Sequence, residues 1–459
     1  MTGHTLGASI AGGQDTIAAL ATAPGRGAIS VVRMSGSAAL EIASRVIDPW
    51  PVEPRRATLC RITDGNRSRV LDQALVTIFV APDSFTGENL VEISGHGGNY
   101  VPAVLLSTLI SCGARPAEPG EFSRRAVLNG KLDVVQAEAI GDLVDARSEA
   151  MHRTALRQLD GGLSRRIARL RENLIAVEAL IAYDIDFPEE DDGPIARERV
   201  SAEVEVLLIS LDALLATVPI GEMIREGAVV VIAGEPNVGK SSLFNALLGE
   251  SRAIVTEIPG TTRDAIESFL ETANWPIRLV DTAGLRETAD VVERIGIEVS
   301  ERYLGWANVV LACGDSEASV TSTVDALAGK TEAPLIRVRT KHDLSGNEDV
   351  AKSSDIGVSA ETGEGLAALM AAIDRCLSAT AGTAIADMPI LTRSRHIHGI
   401  RQAREEVAAF GAAWKQGTLP GPVAAVHLRT AATALESLIG AVSTDDVLDR
   451  VFSSFCVGK

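Results

Sequence analysis

The run Gly234-Glu-Pro-Asn-Val-Gly239-Lys240-Ser241 constrains this chain more than any other feature. It fits the pattern GxxxxGK[ST]. An apolar, β-branched run, VVVIA, precedes it, and SLFNALLG after it reads as a helix. Glycines at those positions let backbone N–H groups approach phosphates, and the helix N-terminus adds a favourable field. Lys240 would neutralise β- and γ-phosphates, and Ser241 would ligate Mg2+. A strand, a loop of this kind and a helix in sequence demand a parallel α/β sheet.

Further short motifs follow in order. Thr261-Thr262-Arg263-Asp264 lies in a polar loop, where a threonine hydroxyl can complete the Mg2+ shell. Asp281-Thr282-Ala283-Gly284 ends the strand-like run WPIRLV. Its aspartate can hold Mg2+ through water, and the Gly284 N–H can sense a γ-phosphate. Thr340-Lys341-His342-Asp343 ends PLIRVR, and Asp343 can accept two hydrogen bonds from a guanine edge. Ser359-Ala360-Glu361 would back the base. Alone, each reads equally as a turn; in this order they form a guanine-nucleotide set. The set resembles the translation-factor-related small GTPases, with two departures. Thr340 replaces the usual asparagine of the base site. Leu285 stands where Ras-like proteins carry the glutamine that orients the attacking water. Leucine cannot orient water, so the chain resembles GTPases with a hydrophobic substitution at this position, which need another residue and often use K+ in place of an arginine finger. Carboxylates between Leu285 and Gly296 are the candidates, beside the alternative of a charged, solvated helix start.

At about 150 residues per domain, 459 residues suggest roughly three domains. Strand-like AISVVRMSG and ALVTIFVAP and helix-like AVLLSTLISCG make residues 1–130 a compact α/β or α+β unit. Residues 131–222 carry apolar positions at three- and four-residue spacing and read as helical, as do residues 379–459. Between them, 223–378 alternates strands and helices. The simplest reading is one helical domain with the α/β unit inserted into it. The expected fold class is therefore multidomain α/β: an N-terminal α/β domain, a central helical domain and an inserted Ras-like domain with a mainly parallel sheet.

Forty-three basic residues against 61 acidic ones give a net charge of -18, which excludes bulk-charge coating of nucleic acid. A local basic patch stays open: Arg165, Arg166, Arg169, Arg171, Arg393, Arg395, Arg401 and Arg404 read either as an RNA contact or as solvated helix faces. Five scattered cysteines without CxxC spacing argue against a zinc ribbon and for a reducing compartment. The N-terminus has no basic residues before an apolar run, so no secretory or transit signal is expected. No apolar stretch is expected to approach a membrane span of about 20 residues. The location expected is the cytoplasm.

Other blocks extend the resemblance to the whole chain. They are Asp15-Thr-Ile-Ala-Ala-Leu-Ala-Thr-Ala-Pro-Gly25-Arg26-Gly27, Ser84-Phe-Thr-Gly-Glu-Asn, His96-Gly97-Gly98, the run from Pro119 to Lys131, and the terminal Phe455-Cys456-Val457-Gly458-Lys459. With the inserted unit, they closely resemble the MnmE (TrmE) family of tRNA-uridine modification GTPases, within the TrmE–Era–EngA-like superfamily.

The resemblance implies a tetrahydrofolate-binding, dimerising N-terminal domain. Arg33, Glu92 and Lys131 would contact a 5-formyl- or methylene-tetrahydrofolate, with Lys459 completing the site. Cys456 would lie near the one-carbon pocket, either as a catalytic thiol or as a buried structural one. Asn89, where the family usually has Asp, weakens any chemical role there. The GTP set it implies is Asn237, Val238, Gly239, Lys240, Ser241 and Ser242; Thr256, Glu257, Ile258, Pro259, Gly260, Thr261 and Thr262; Asp281, Thr282, Ala283 and Gly284; and Lys341, Asp343, Ser359 and Ala360. Ser241 and Thr262 would hold Mg2+. Asn237, with oxygens around Thr256, Ile258 and Thr261, would hold K+. Glu293 would orient the water, and Arg286 would support its loop. The family forms a homodimer and works in a heterotetramer with a flavin enzyme, MnmG, on the wobble uridine of tRNA. The flavin is expected in the partner, since no trusted GxGxxG fingerprint occurs here. The product carries an aminomethyl or carboxymethylaminomethyl group. The alternative reading is a ribosome-assembly GTPase of the Era/EngA type, which would carry an RNA-binding module in place of the folate-like blocks.

Overall fold

The structure is a computed structural model that describes residues 15–186, 197–250, 267–272, 274–281, 302–344, 355–381, 388–417 and 420–440, with 448, 451–452, 455 and 457–458. By internal contacts the chain parts into two units: residues 1–141 with 439–459, and residues 142–438.

The first unit is built on a seven-stranded sheet in the order β3-β4-β5-β6-β2-β1-β7. Its strands are β1 (Ile17–Leu20), β2 (Ile29–Ser35), β3 (Ile47–Asp48), β4 (Thr58–Thr63), β5 (Val70–Phe79), β6 (Leu90–His96) and β7 (Arg115–Pro116). Every pairing is antiparallel except β1 with β7. In β2, Ser30, Val32 and Met34 point inward, and Ile29, Val31 and Arg33 point outward. That period of two buries one face. Helices Ala39–Val46 and Tyr100–Ser111 supply Ala39, Ile42, Ala43, Leu105 and Leu109 to the core against Val32, Ile62, Val76 and Ile93. The second helix ends as expected at Gly113, whose φ of +116° suits a left-handed stop. With antiparallel strands dominating, the unit is the α+β form of the two left open.

The second unit holds a six-stranded sheet in the order β13-β12-β11-β8-β10-β9. The strands are β8 (Ala228–Gly234), β9 (Glu267–Glu271), β10 (Pro276–Asp281), β11 (Val309–Gly314), β12 (Leu335–Arg339) and β13 (Ile356–Gly357). All pairs are parallel except β9 with β10. Every residue of β11, and all but the last of β8, is buried. Continuous apolar runs are what central parallel strands require, because helices cover both faces.

The helical part of this unit has a seven-residue rhythm. Helix Gly162–Asp186 buries Leu163, Ile167, Leu170, Leu174, Val177 and Ile181. Helix Arg197–Leu215 buries Val200, Val204, Leu207, Leu211 and Leu214. It packs on Gly162–Asp186 and on Ser394–Gln416. Alternating three- and four-residue steps keep one seam facing its neighbour. Helix Arg197–Leu215 ends before Pro219, which sits in the first turn of the next helix, Val218–Glu226, where its missing N–H costs nothing. One expectation needs correction: Arg197–Glu226 is long and apolar enough, at mean hydropathy 1.9, to pass as a membrane span by composition. A third of that window is buried, and one such helix, identified by length and composition alone, is weak evidence for a span.

Candidate functional site

Two sites emerge, one in each unit. In the second, β8 delivers the chain into residues 235–239, and helix Lys240–Glu250 leaves them. Gly234 is required by space: a Cβ there would lie 2.4 Å from the Cys313 carbonyl oxygen. Gly239 is required by conformation, with φ of +93°. Asn237 takes φ of +63°, which asparagine tolerates better than most side chains.

Lys240 is 6% exposed, and its Nζ donates to the Glu235 carbonyl at 2.7 Å. Ser241 Oγ donates to Asp281 Oδ2 at 2.8 Å. Asp281 is the last residue of β10 and pairs in register with Ile232 of β8. A hydroxyl and a carboxylate thus converge at the ends of adjacent parallel strands, beside a buried ammonium. Hard oxygens of this kind suit Mg2+, which takes one or two protein ligands and the rest from phosphate and water. Cys313 lies in the same region, on β11. Burial pushes its thiol up to about 12, so it is neutral and inert.

The base side is assembled from the ends of β12 and β13. Thr340 is 3% exposed, and its Oγ1 lies between the Val238 carbonyl and the Gly314 carbonyl, the latter at 3.1 Å. Its single proton serves one at a time. The hydroxyl that replaces the expected amide therefore latches the phosphate loop to the sheet. Lys341, at φ of +56°, donates from Nζ to the Asn237 carbonyl at 2.8 Å. Asp343 is exposed on the 3-10 turn His342–Leu344. Ser359 is fully buried, and its Oγ accepts from the Thr362 N–H. Thr340→Val is expected to lower stability by about 1–2 kcal/mol, by removing this bond from two buried carbonyls. Urea unfolding would measure it, and an unchanged midpoint would remove the latch.

The structure thus gathers Asn237 to Ser242, Asp281, Lys341, Asp343, Ser359 and Ala360 at the carboxyl ends of the parallel strands, where α/β sheets bind ligands. Thr256, Glu257, Ile258, Pro259, Gly260, Thr261, Thr262, Thr282, Ala283, Gly284, Arg286 and Glu293 lie outside the described residues, as do Cys456 and Lys459.

In the first unit, Arg33 on β2 faces Glu92 on β6 in register. Its Nε and Nη2 donate to Glu92 Oε1 at 2.9 and 2.8 Å, and its Nη1 donates to the Gly458 carbonyl at 3.4 Å. The chain terminus therefore reaches this pair, helped by a bridge between Pro119 and Val457. The guanidinium also lies 5.6 Å from the Phe85 ring centre and 5.7 Å from that of Phe122. Lys131 is exposed, and a Cβ on Gly87 would meet its stem at 3.3 Å. Residues 84–89 thus lie between Lys131 and Arg33. Asn89 is structural: its Oδ1 accepts from the Ala81 N–H.

Sequence reasoning did not find what holds that loop. Ser35 Oγ donates to Glu88 Oε2 at 2.8 Å, and Arg125 Nη1 donates to both Glu88 oxygens at 3.3 and 3.2 Å. Arg125, 8% exposed, also binds Asp15 Oδ1 at 2.8 Å and Glu121 Oε1 at 3.0 Å. Arg115 reaches Glu121 and Asp15 at 2.5 Å each. Burial pushes the Glu121 carboxyl up, but Arg115, the Glu118 N–H and Arg125 together hold it below its usual range. The clue lay in the charges of the run from Pro119 to Lys131, since Glu121 and Arg125 stand one helical turn apart.

A glycine-bearing loop between a strand end and a helix, a serine and an aspartate converging beside its buried lysine and a carboxylate on the turn after β12 define a P-loop protein of the G-domain class. Two family models match the chain: the GTP-binding protein TrmE N-terminus over residues 16–131, and the MnmE helical domain over residues 134–456. Proteins described as tRNA modification GTPase MnmE are similar throughout. That of Azoarcus sp. (strain BH72) is 43% identical over 452 residues, covering 97% of this chain and 98% of the relative. That of Moorella thermoacetica is 41% identical over 462 residues, covering 97% and 99%. Among solved structures, the G domain of the T. maritima FeoB iron transporter is 26% identical, covering 33% of this chain and 99% of that one, with a TM-score of 0.26. The chain belongs to the MnmE family of tRNA modification GTPases.

Proposed function

We propose that this chain is the K+-dependent GTPase subunit of a cytoplasmic enzyme that modifies tRNA wobble uridine. It acts as a homodimer with a flavin-bearing, MnmG-like partner. The product carries an aminomethyl or carboxymethylaminomethyl group at C5, and the added carbon comes from a tetrahydrofolate. The observation that carries this reading is the Arg33–Glu92 pair between Phe85 and Phe122, in a chain that also bears a complete phosphate loop. The arginine suits the anionic tail of a folate, and the carboxylate suits the amino groups of a pterin. Outward-facing Leu59 and Leu75, paired in register and 65% and 47% exposed, offer the dimer an apolar contact.

In hydrolysis, Lys240 would bind the β- and γ-phosphates, and Ser241 and Thr262 would hold Mg2+, with Asp281 reaching it through water. The metal supplies charge stabilisation at the transferred phosphoryl group. Asn237, with Thr256, Ile258 and Thr261, binds K+, and Glu293 orients the water. Glu293→Ala should slow single-turnover hydrolysis by about 10² to 10⁴-fold, the usual contribution of a positioned base, and spare GTP binding. Unchanged turnover would remove that role. Cys456→Ser should spare hydrolysis; intact tRNA modification would make the thiol structural.

The deciding experiment is mass spectrometry of tRNA nucleosides from cells with and without this protein. Loss of aminomethyl-type wobble uridines, restored by the wild type but not by Lys240→Ala, supports the proposal. An unchanged profile would shift the reading to ribosome assembly, and ribosomal subunit profiles would then follow.

A further inference from the structure

We infer that Arg339 raises the affinity for guanine nucleotide, and the preference for GTP over GDP, as a buried cation whose countercharge arrives with the ligand; this rests on the reading of the second unit as a guanine-nucleotide site. Arg339 is the last residue of β12 and only 4% exposed. Arginine is rarely buried so completely unless a carboxylate pairs with it. Here Nε and Nη2 are buried with no hydrogen-bond partner, and among the described residues no carboxylate forms an ion pair with the guanidinium.

Arg337, two residues earlier on the same face of β12, shows the usual solution. Its Nε meets Asp355 Oδ1 at 2.5 Å, and its Nη2 donates to Thr321 Oγ1 at 3.1 Å. Arg339 is flanked instead by glycines, since it pairs in register with Gly314 of β11 and with Gly357 of β13. Over Gly314 lies the first turn of helix Glu317–Leu327: a Cβ there would meet the Val320 nitrogen at 2.4 Å. Over Gly357 lies the His342 ring, which a Cβ would meet at 3.1 Å.

The guanidinium keeps its charge in this place, because arginine does not give up its proton in proteins. Burying a charge without a partner is costly, and an anion nearby recovers part of the cost. The nucleotide is such an anion. Cys313, beside Gly314, pairs in register with Gly234, where the phosphate loop begins. Arg339 therefore stands two strands from the loop, about 10 Å at the usual strand spacing. The residues after it touch the loop directly, Thr340 at the Val238 carbonyl and Lys341 at the Asn237 carbonyl. Every residue of the intervening β11 is buried, so the field of the guanidinium crosses protein and is weakened less than it would be across water.

The test is isothermal titration of the full chain with Mg2+ and either GDP or a non-hydrolysable GTP analogue. The triphosphate complex carries about twice the net negative charge of the diphosphate complex, so it gains about twice the interaction energy. Arg339→Met keeps most of the volume without the charge. It should bind the GTP analogue about tenfold more weakly and GDP about threefold more weakly. Arg339→Lys keeps the charge and should restore most of both losses. Urea unfolding without nucleotide adds a second sign: Arg339→Met should be at least as stable as wild type, because it removes an unpaired buried charge. Wild-type protein that binds neither nucleotide overturns the site reading itself. Arg339→Met with unchanged affinities, with equal losses for the two nucleotides, or with lower stability than wild type overturns the electrostatic role. So does Arg339→Lys that binds as weakly as the methionine variant.

Discussion

Lys240→Ala should lower GTP affinity by about three orders of magnitude, or about 4 kcal/mol. The size follows from where the ammonium sits. Lys240 is 6% exposed and anchored by the Glu235 carbonyl at the mouth of the loop. Removing one partner of a buried, hydrogen-bonded charge pair typically costs about 2–5 kcal/mol or more, because the other charge stays desolvated. A triphosphate in this loop would be that other charge. The fold should survive, since Val238, Leu243 and Leu247 carry the core contacts of the loop and helix. Isothermal titration with GTP and Mg2+ would measure the effect. Affinity within tenfold of wild type would refute the phosphate-cradle reading. Ser241→Ala should instead raise the Mg2+ concentration needed, since it removes the proposed metal ligand and leaves the ammonium of Lys240.

The fold was legible where local pattern decides it. VVVIA, NVVLACG and PLIRVR are strands because nothing but a doubly covered sheet buries such runs, and β8, β11 and β12 lie there. The spacing from Leu163 to Ile181 announced a packed helix. Strand order was not legible. β2 lies between β6 and β1, and β8 between β11 and β10. Those neighbours are set by long-range pairing, which leaves no mark on periodicity. Two-residue strands such as β3 and β7 are too short to carry any pattern. The return of the chain end to the first unit was foreseen only through the resemblance.

The candidate site divides in the same way. Phosphate recognition is written in consecutive residues, because one loop supplies the amides, the lysine and the serine. The base side was read from Thr340 to Asp343 as a motif, with Thr340 a departure from the usual asparagine. In the structure the Thr340 hydroxyl is buried against two carbonyls and ties the phosphate loop to the sheet. The Arg125 network escaped notice because Asp15, Ser35, Glu88 and Glu121 come from four separate segments.

That network yields the second large effect. Arg125→Met should destabilise the first unit by about 3–5 kcal/mol at pH 7, since it takes the cation from Glu88 and leaves Glu121 and Asp15 with Arg115 alone. Methionine keeps most of the volume, so a cavity is not the cause. The pH dependence separates charge from packing. Burial alone would raise the Glu121 carboxyl, yet Arg115, the Glu118 N–H and Arg125 hold it below normal; Asp15 is lowered in the same way, by Arg115 and Arg125 against burial. A lowered carboxyl adds stability that is present above the unfolded pKa, about 4 for these groups. That stability is lost as pH falls through the lower folded value. Wild type should therefore weaken on acidification below about pH 4. The variant loses part of that contribution beforehand, and protonation relieves its stranded carboxylates. The gap between the two proteins should be widest near pH 7 and narrow by pH 4, measured by urea unfolding. A deficit of equal size at both pH values would mean that Arg125 acts through packing and that the carboxylates gain nothing from its charge.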